Sequence, residues 1–529
     1  MGSVSTVRDT PADAGAWALS GVVAGAAGVA TSYATAMFTA VGSNPVDAVA
    51  STVIRVAPGN TAQQAVRVLG HADKPTLVGG VLVVLAVLFA WAGHLARRGW
   101  RGPLAVYAVV AVIGAVAVLD QRGAGAGDLV PLLVGALTWP AALALLIRPL
   151  RAAAATTATA TTPQAAADGG AAAYPSGSRR SFLVRVGVVA AGAAVLGTAA
   201  RAAGAGRRRV EAARRLLRLP GVTAPVVPDG TQVAVPSMTP WATSAADFYR
   251  IDTAIIPPTV EPDAWRLRIH GLVDREVELR FSDLVGRKHT QAWVTLCCVS
   301  NEVGGDLVGN AWWSGVRVAD LLAEAGVQPG ADAVRQTSDD GCTCGTPLAA
   351  LTDGRDAMLA IAMNGRPLPI DHGFPVRTVV PGLYGYVSAC KWVVDLEVTR
   401  FADFTAFWTE RGWSERGPVK LASRIDVPRS GGTVDAAGGR VAGVAWQQHT
   451  GVAAVEVALD GGAWQRADLA RVPSVDTWVQ WTAAIHTTPG DHTLRVRAVS
   501  RAGEVQTGVQ HDVVPNGATG WHTVAFTAS

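Results

Sequence analysis

The chain has 529 residues, half of them hydrophobic, and its 45 basic and 41 acidic side chains leave a formal net charge of +4. Since a domain takes roughly 150 residues, this length predicts three or four structural units. The arginines are spread among acidic residues instead of forming one basic block, which excludes nucleic acid as an expected partner.

Four uncharged stretches occupy residues 1–150, each close to the roughly 20 apolar residues that a helix needs to cross a bilayer. Arginines lie between the second and third stretches and after the fourth. Because cytoplasmic loops retain basic residues, these two loops and the N-terminus are predicted to be cytoplasmic. The four predicted transmembrane helices are Gly15–Val41, Thr76–Ala96, Gly102–Leu119 and Leu129–Ile147.

An export signal is predicted after the fourth helix. Residues 151–177 are an Ala/Thr-rich, low-complexity run, which indicates a flexible linker. Residues 178–202 begin with Ser-Arg-Arg-Ser-Phe-Leu-Val-Arg, followed by an apolar core from Val186 to Ala200. The octet resembles the twin-arginine signal, whose pathway exports proteins already folded around cofactors. We expect a fifth transmembrane segment here, with the rest of the chain outside the cytoplasm.

Two features leave this topology open. Six arginines lie between residues 207 and 218, and the positive-inside rule would keep them in the cytoplasm. The small residues Ala203-Gly204-Ala205 form a candidate cleavage site that would release the soluble part. Residues 203–240 are interpreted as a second linker.

The remaining sequence has the patterns of soluble domains. Over residues 241–412, Trp265–Ile269 alternates like a strand and Val316–Ala325 has helical spacing, which predicts an α+β domain. Residues 417–529 contain alternating runs and a hairpin signal at Asp460-Gly461-Gly462. This last region is predicted to be an immunoglobulin-like β-sandwich.

A cysteine motif lies in the α+β region, at Thr295-Leu296-Cys297-Cys298-Val299-Ser300-Asn301. A cysteine after an apolar strand is usually a small buried side chain. This segment, however, resembles the Thr-Leu-x-Cys-x-x-Asn motif of the sulfite oxidase family, in which the cysteine thiolate binds molybdenum. A soft thiolate suits such a metal beside the dithiolene sulfurs of its pterin. The resemblance implies that Cys298 is the metal ligand and a catalytic residue, and that Asn301 contacts the cofactor.

A longer match runs from Met363 to Trp392 and contains Met-Asn-Gly, Asp-His-Gly-Phe-Pro-Val-Arg, Val-Pro-Gly and a final Lys-Trp. In the family this run wraps the molybdopterin. The resemblance implies that His372 and Arg377 bind its phosphate, and that a loop from Ser388 to Lys391 closes over it. A phosphate favours a guanidinium, an ammonium and backbone donors.

Weaker matches add three expected cofactor contacts. The segment Phe248-Tyr249-Arg250-Ile251-Asp252-Thr253 occupies the place of the family's Phe-x-x-Arg-Asn-His loop, which implies Asp252 and Thr253. Asp339 is the third. Cys342 and Cys344 follow it, and we interpret this pair as structural.

The sequence departs from true sulfite oxidases where that family holds and processes its anionic substrate. Ile251 and Glu302 replace arginines, and a glutamate would repel sulfite. Trp413 stands in the place of the family's catalytic tyrosine. We therefore expect a substrate other than sulfite, with Trp413 as the second catalytic position.

The resemblance implies a two-electron oxygen-atom transfer on a small-molecule substrate at a molybdenum–molybdopterin centre, in a direction that the sequence leaves open. The chain lacks a Cys-x-x-Cys-His haem motif, so a separate cytochrome or quinone-linked electron carrier is expected. The C-terminal region resembles the family's dimerisation domain, which implies a homodimer. The alternative is a membrane-anchored extracytoplasmic binding module that keeps the fold without metal.

Overall fold

The computed structural model describes residues 11–39, 44–57, 72–121, 124–159, 176–203 and 205–529. It divides into a helical unit, residues 1–209 with 253–256, and a sheet-rich unit, residues 210–252 with 257–529. Most of the predicted first linker and Gly204 of the candidate cleavage site lie outside the described residues.

The helical unit is built around aromatic side chains and glycines. Its buried centre contains Phe89, Tyr107 and Trp139, whose rings lie 5.3–6.0 Å apart. A Cβ on Gly21 would collide with the backbone near Gly93, so glycine allows the first and third helices to approach closely. The described helices are α1 Pro11–Thr39, α2 Pro45–Val56, α3 Asp73–Leu95, α4 Arg101–Leu119, α5 Val130–Thr159 and α6 Ser176–Ala203.

Four helical segments are long and apolar enough to cross a membrane. They coincide with the four predicted stretches to within a few residues at most ends, and they are Ala14–Thr39, Lys74–Leu95, Arg101–Leu119 and Ala126–Ala152. The sequence pattern did not predict α2, whose N-cap is Asn44; its side-chain oxygen accepts hydrogen bonds from the backbone of Val46 and Asp47. The predicted fifth segment lies in α6, and its crossing of a membrane stays a prediction.

The region expected to be a second linker, residues 203–240, contains the helix α7, Ala205–Leu216. Val210 on this helix is only 1% exposed and packs in the apolar core of the sheet-rich unit. Arg214 donates a 3.1 Å hydrogen bond to the carbonyl of Pro367. The second half of α7 is therefore part of the folded sheet-rich unit.

One mixed sheet, one antiparallel sheet and short helices form the first part of the sheet-rich unit. One sheet has the order β2-β1-β10-β5-β6, and the other has the order β3-β4-β7-β8 with β9 also paired to β7. The predicted helix is present as α9 and ends at Gly326, whose φ of 73° is left-handed. The elements are β1 Arg266–Gly271, β2 Val277–Arg280, α8 Phe281–Gly286, β3 Thr290–Cys297, β4 Val308–Arg317, α9 Val318–Ala325, β5 Ala333–Ser338, β6 Thr343–Pro347, α10 Leu348–Thr352, β7 Met358–Met363, β8 Arg366–Pro367, β9 Arg377–Val379, α11 Gly385–Ser388 and β10 Val393–Thr399.

Two further sheets form the C-terminal part of the same unit, with the orders β11-β13-β17-β16 and β12-β19-β18-β14-β15. Apolar side chains from both sheets, among them Trp481 and Phe526, share one buried cluster. The predicted hairpin signal at Asp460 and Gly461 adopts positive φ angles of 48° and 73°. The strands are β11 Ala422–Val427, β12 Gly432–Val434, β13 Gly439–Trp446, β14 Val452–Leu459, β15 Gln465–Arg466, β16 Asp468–Leu469, β17 Val479–Ile485, β18 Gly490–Ser500 and β19 His522–Ala528.

Candidate active site

The predicted metal ligand lies at the end of a buried strand. β3 pairs with β4 along its whole length, up to Cys297 opposite Val308. Cys297 is 2% exposed and packs in an apolar cluster that also contains Trp446. Cys298 is the first residue after the strand and is 8% exposed. The sequence therefore places one buried thiol in the core and the next one at the start of a loop.

The loop that follows Cys298 is closed by three hydrogen bonds. Cys298 donates its backbone N–H to the carbonyl of Leu307 at 2.9 Å, and Asn301 donates its own to the carbonyl of Cys298 at 3.1 Å. The side-chain oxygen of Asn301 accepts the Leu307 N–H at 2.8 Å. Asn301, predicted as a cofactor contact, thus orders the loop that carries the thiol.

Burial raises the pKa of the Cys298 thiol, because an anionic sulfur is poorly solvated there. Hydrogen bonds from the backbone and hydroxyl of Ser300 act in the opposite direction, as does the positive charge of Lys391. These groups would stabilise a thiolate once a metal cation displaces the proton.

Two tyrosines that the sequence patterns did not single out lie near the two cysteines. Burial, followed by the proximity of Cys298 and Cys297, raises the pKa of Tyr249 well above its usual range. Burial also raises the pKa of Tyr384, with Cys297 the next cause. A Cβ on Gly385 would lie 3.6 Å from the Tyr249 hydroxyl and 3.8 Å from the Cys297 carbonyl oxygen. The Tyr249 hydroxyl and the backbone of Cys297, the neighbour of the candidate metal ligand, therefore both lie beside Gly385.

The predicted phosphate-binding residues form one buried cationic cluster. Arg377 is 3% exposed, and its guanidinium lies 5.0 Å from the centre of the Trp313 ring. Within the described part of the chain, its guanidinium donates hydrogen bonds to the backbone carbonyls of His372, Thr378 and Ala389, each at 3.3 Å. Burial lowers the pKa of Arg377 to about 10.

His372 and Lys391 lie beside this guanidinium. The Nε2 atom of His372 is 2.9 Å from the carbonyl oxygen of Ala245, while its buried Nδ1 atom has no hydrogen-bond partner among the described residues. Lys391 donates to the carbonyl of Asp371 at 3.1 Å and to the carboxylate of Asp252 at 2.9 Å. Burial lowers the pKa of Lys391 to about 8, with Asp252 opposing that effect.

This cluster fits an anionic group such as the molybdopterin phosphate. Among the described residues the buried guanidinium has no carboxylate partner, so part of its donor capacity is unused. Because Nε2 of His372 donates to a carbonyl, its Nδ1 atom would donate only when the ring is protonated, a form that a nearby anion favours. Gly373, with a φ of 105°, allows its backbone to approach Arg377 closely, since a Cβ there would lie 3.0 Å from Cβ of Arg377. The donor set is thus suited to a phosphate, and Asp252 is a directly bonded counter-charge on Lys391.

The other predicted site residues have varied surroundings. The buried hydroxyl of Ser388 donates to the carbonyls of Leu383 and Tyr384, at 3.1 and 3.0 Å. Asp339 is exposed in the turn between β5 and β6, and its N–H bonds the carbonyl of Trp392 at 2.8 Å. Ser388 therefore lies near Lys391 in the sequence, and Asp339 contacts Trp392, the residue after Lys391.

Thr253 and Trp413 are the two remaining predicted residues. Thr253 is half-buried in the short segment 253–256, which is counted with the helical unit. Trp413 is 3% exposed and packs at 6.0 Å against the ring of Tyr386. Its indole belongs to the apolar cluster that contains Cys297.

Comparisons with known proteins agree with the motif assignment. The sequence family described as "Oxidoreductase molybdopterin binding domain" matches residues 254–408. The "Uncharacterized oxidoreductase YuiH" of Bacillus subtilis is 33% identical over 170 residues, which cover 32% of this chain and 82% of that protein. Mitochondrial sulfite oxidase of Homo sapiens is 30% identical over 306 residues, or 49% of this chain and 55% of that protein. The match thus spans about half the length of the human enzyme.

Among solved structures, the sulfane dehydrogenase SoxCD from Paracoccus pantotrophus aligns with a TM-score of 0.47 and 23% sequence identity. The alignment covers 55% of this chain and 85% of that one.

Proposed function

Because the chain belongs to the sulfite oxidase family of molybdopterin-dependent oxidoreductases, we propose that it carries out a two-electron oxygen-atom transfer with Cys298 as the protein ligand to molybdenum. The observation that carries this proposal is the position of Cys298 directly after β3, in a loop that hydrogen bonds to Leu307 close at its base. When bound, the molybdenum–molybdopterin cofactor supplies a metal that exchanges an oxygen atom with substrate and two electrons with a partner.

The residues of this chain would bind and orient the cofactor. Arg377 and Lys391 would hold its phosphate, since their donors are buried and only partly used. His372 would add a donor at Nδ1 when its ring is protonated. Asn301 would fix the loop that presents the Cys298 thiolate. Loss of such a supporting contact commonly lowers metal affinity or activity by about 10- to 100-fold.

A phenol is available for proton transfer although the family's tyrosine position holds Trp413. We propose that the Tyr249 hydroxyl gives or accepts the proton at the reacting oxygen, because it lies beside Gly385 and the backbone of Cys297, and Trp413 has no acidic group. The Trp413 indole would then shape the site through its packing against Tyr386. The role proposed for Trp413 in catalysis is thus to shape the site and not to transfer a proton.

The proposed substrate is a small molecule other than sulfite. Ile251 and Glu302 stand where the resemblance places anion-binding arginines, and Glu302 is exposed. A carboxylate at this place would repel a dianion. A neutral oxygen acceptor or donor, such as a sulfoxide, is the class to test first, and sulfite is the comparison substrate.

The remaining proposals concern location and partners. We propose a multi-pass membrane protein whose sheet-rich unit is extracytoplasmic, exported by the signal at Arg179 and Arg180, with electrons passing to a separate cytochrome or quinone-linked carrier. Four apolar helices support membrane association. An Arg179→Lys, Arg180→Lys variant should leave a C-terminal protease-sensitive tag protected in intact cells. Digestion of the tag to the same extent as in the parent chain would contradict export by this signal.

The C-terminal two-sheet part is proposed to be an immunoglobulin-like domain that supports a homodimer. Its two sheets around one apolar cluster suit a sandwich. Light scattering of the detergent-solubilised full chain should give twice the chain mass after subtraction of the detergent. A mass of one chain would contradict the dimer.

The decisive experiment is metal and pterin analysis of the full chain made in a host that synthesises molybdenum cofactor. Near-stoichiometric molybdenum and pterin are expected, with molybdenum strongly reduced in Cys298→Ala. Cys342→Ala is the matched control, because Cys342 lies on a hairpin outside the thiol loop. Folded protein without metal and pterin would favour the alternative, a membrane-anchored binding module.

A further inference from the structure

The loop that contains Cys298 is stabilised by its own hydrogen bonds and by contacts from the C-terminal two-sheet part. It runs from Cys298 to Leu307, and its base is closed by the Cys298–Leu307 and Asn301–Leu307 hydrogen bonds. Its far end contains Gly304 and Gly305. The Gly305 N–H bonds the carbonyl of Glu302 at 2.9 Å, so the end of the loop is a tight turn.

An arginine from the C-terminal two-sheet part binds this turn. Arg424 on β11 donates a 2.8 Å hydrogen bond to the carbonyl of Gly305. The same guanidinium donates to the carboxylate of Asp426 at 2.6 Å and to the hydroxyl of Thr239 at 3.3 Å. The side chains of Arg424 and Asp426 are 10% and 7% exposed, so the ion pair is buried.

A histidine of the same part lies against the neighbouring glycine. A Cβ on Gly304 would overlap the ring of His522, and the φ of Gly304 is 80°, which favours glycine. The Nδ1 atom of His522 accepts the N–H of Ile425 at 2.9 Å, which fixes the ring next to Arg424. Two side chains of the C-terminal part therefore contact the end of the Cys298 loop.

We propose that Arg424 is a positioning residue for Cys298, and that the C-terminal two-sheet part thereby belongs to the active site. This inference rests on the proposed role of Cys298 as metal ligand. The Arg424 guanidinium contacts Asp426, Gly305 and Thr239 at once, which a single ammonium cannot reproduce with the same geometry. Buried ion pairs seldom add net stability over apolar replacements, so a geometric role accounts better for this one.

The test measures how fast Cys298 reacts with iodoacetamide in the cofactor-free full chain, with each cysteine followed by peptide mass spectrometry. In the parent chain Cys298 is expected to react slowly. Arg424→Met should accelerate its alkylation on the order of 10-fold, because the loop opens more often without the Arg424–Gly305 hydrogen bond. Cys344 and Cys390, which are buried elsewhere, are internal controls and should keep their rates.

Matched variants separate positioning from loss of fold. Arg424→Met leaves Asp426 buried without its partner, so the double variant Arg424→Met, Asp426→Leu should also be made; it removes both charges and should accelerate Cys298 equally. Arg424→Lys should restore part of the slow rate. Arg497→Met is the control, since Arg497 forms an ion pair with Glu456 in the same part of the protein.

The outcomes are distinct. Faster alkylation of Cys298 alone supports the positioning role. An unchanged Cys298 rate in both Arg424→Met variants, or equal acceleration of all five cysteines, overturns it. Because no cofactor is present, the result does not depend on whether the loaded protein contains molybdenum. Metal analysis of Cys298→Ala tests that separately.

Discussion

The ammonium of Lys391 and the carboxylate of Asp252 form an ion pair at 2.9 Å, with their side chains 9% and 5% exposed. Asp252 also accepts a hydrogen bond from Arg250 at 3.2 Å. The two partners are 139 residues apart in sequence. The pair connects the segment before β1 with the segment that follows α11.

Asp252→Asn is expected to destabilise the cofactor-free protein by about 3 kcal/mol, since removing one partner leaves a buried charge uncompensated. A bound phosphate would supply a counter-charge for Lys391, so the loss should be smaller in the loaded protein. Thermal unfolding of both forms measures this difference. Asp263→Asn, in an exposed turn, is the control. Equal losses in the two forms would argue against a phosphate at Lys391.

Arg377→Met should reduce the pterin content of purified protein at least 10-fold, because the buried guanidinium is the best placed group for a phosphate. Pterin extraction followed by fluorescence measures the content. Arg366→Met is a suitable control because Arg366 is an exposed residue of β8. Normal pterin content in Arg377→Met would remove Arg377 from the cofactor site.

The stability of the cofactor-free protein should depend on His372 in acid. Burial, with the nearby charges of Lys391 and Arg377, lowers the pKa of His372 from 6.5 to about 4. As the pH falls, His372 therefore binds a proton at a higher pH in the unfolded chain than in the folded chain. Stability is therefore retained above pH 6.5 and lost as the pH falls toward 4, by up to ~3 kcal/mol.

His372→Gln should flatten this dependence of the unfolding midpoint between pH 7 and 4. His486→Gln should not, because His486 is exposed. The same slope in the His372→Gln variant and in the parent chain would show that another group titrates.

Tyr249→Phe should lower kcat 100-fold or more while molybdenum content stays normal, since general acid–base groups contribute about 10²- to 10⁴-fold. Trp413→Phe should keep most of kcat and reduce stability instead, because Trp413 is buried against Tyr386. Steady-state kinetics and metal analysis of the same preparations separate the two effects. A large loss of kcat in Trp413→Phe with Tyr249→Phe unaffected would reverse these assignments.

The sequence by itself determined those features that are local. The four apolar stretches, the helix ending at Gly326 and the turn at Asp460-Gly461 depend on composition and on spacing along the chain, and the structure has them at those places. The motifs around Cys298 and from His372 to Lys391 also identified the family and its cofactor. Such patterns can be read from the sequence because neighbouring residues carry them.

Only the tertiary structure decided which distant side chains meet. The Tyr249 hydroxyl lies beside Gly385, Asp252 pairs with Lys391, and Arg424 reaches Gly305 because strands and loops separated by many residues pack against one another. Helix α7 was missed for the same reason, since Val210 is held by the apolar core of the sheet-rich unit and its arginine-rich sequence alone favours a linker. Long-range packing has no period along the chain, so these contacts became visible only in three dimensions.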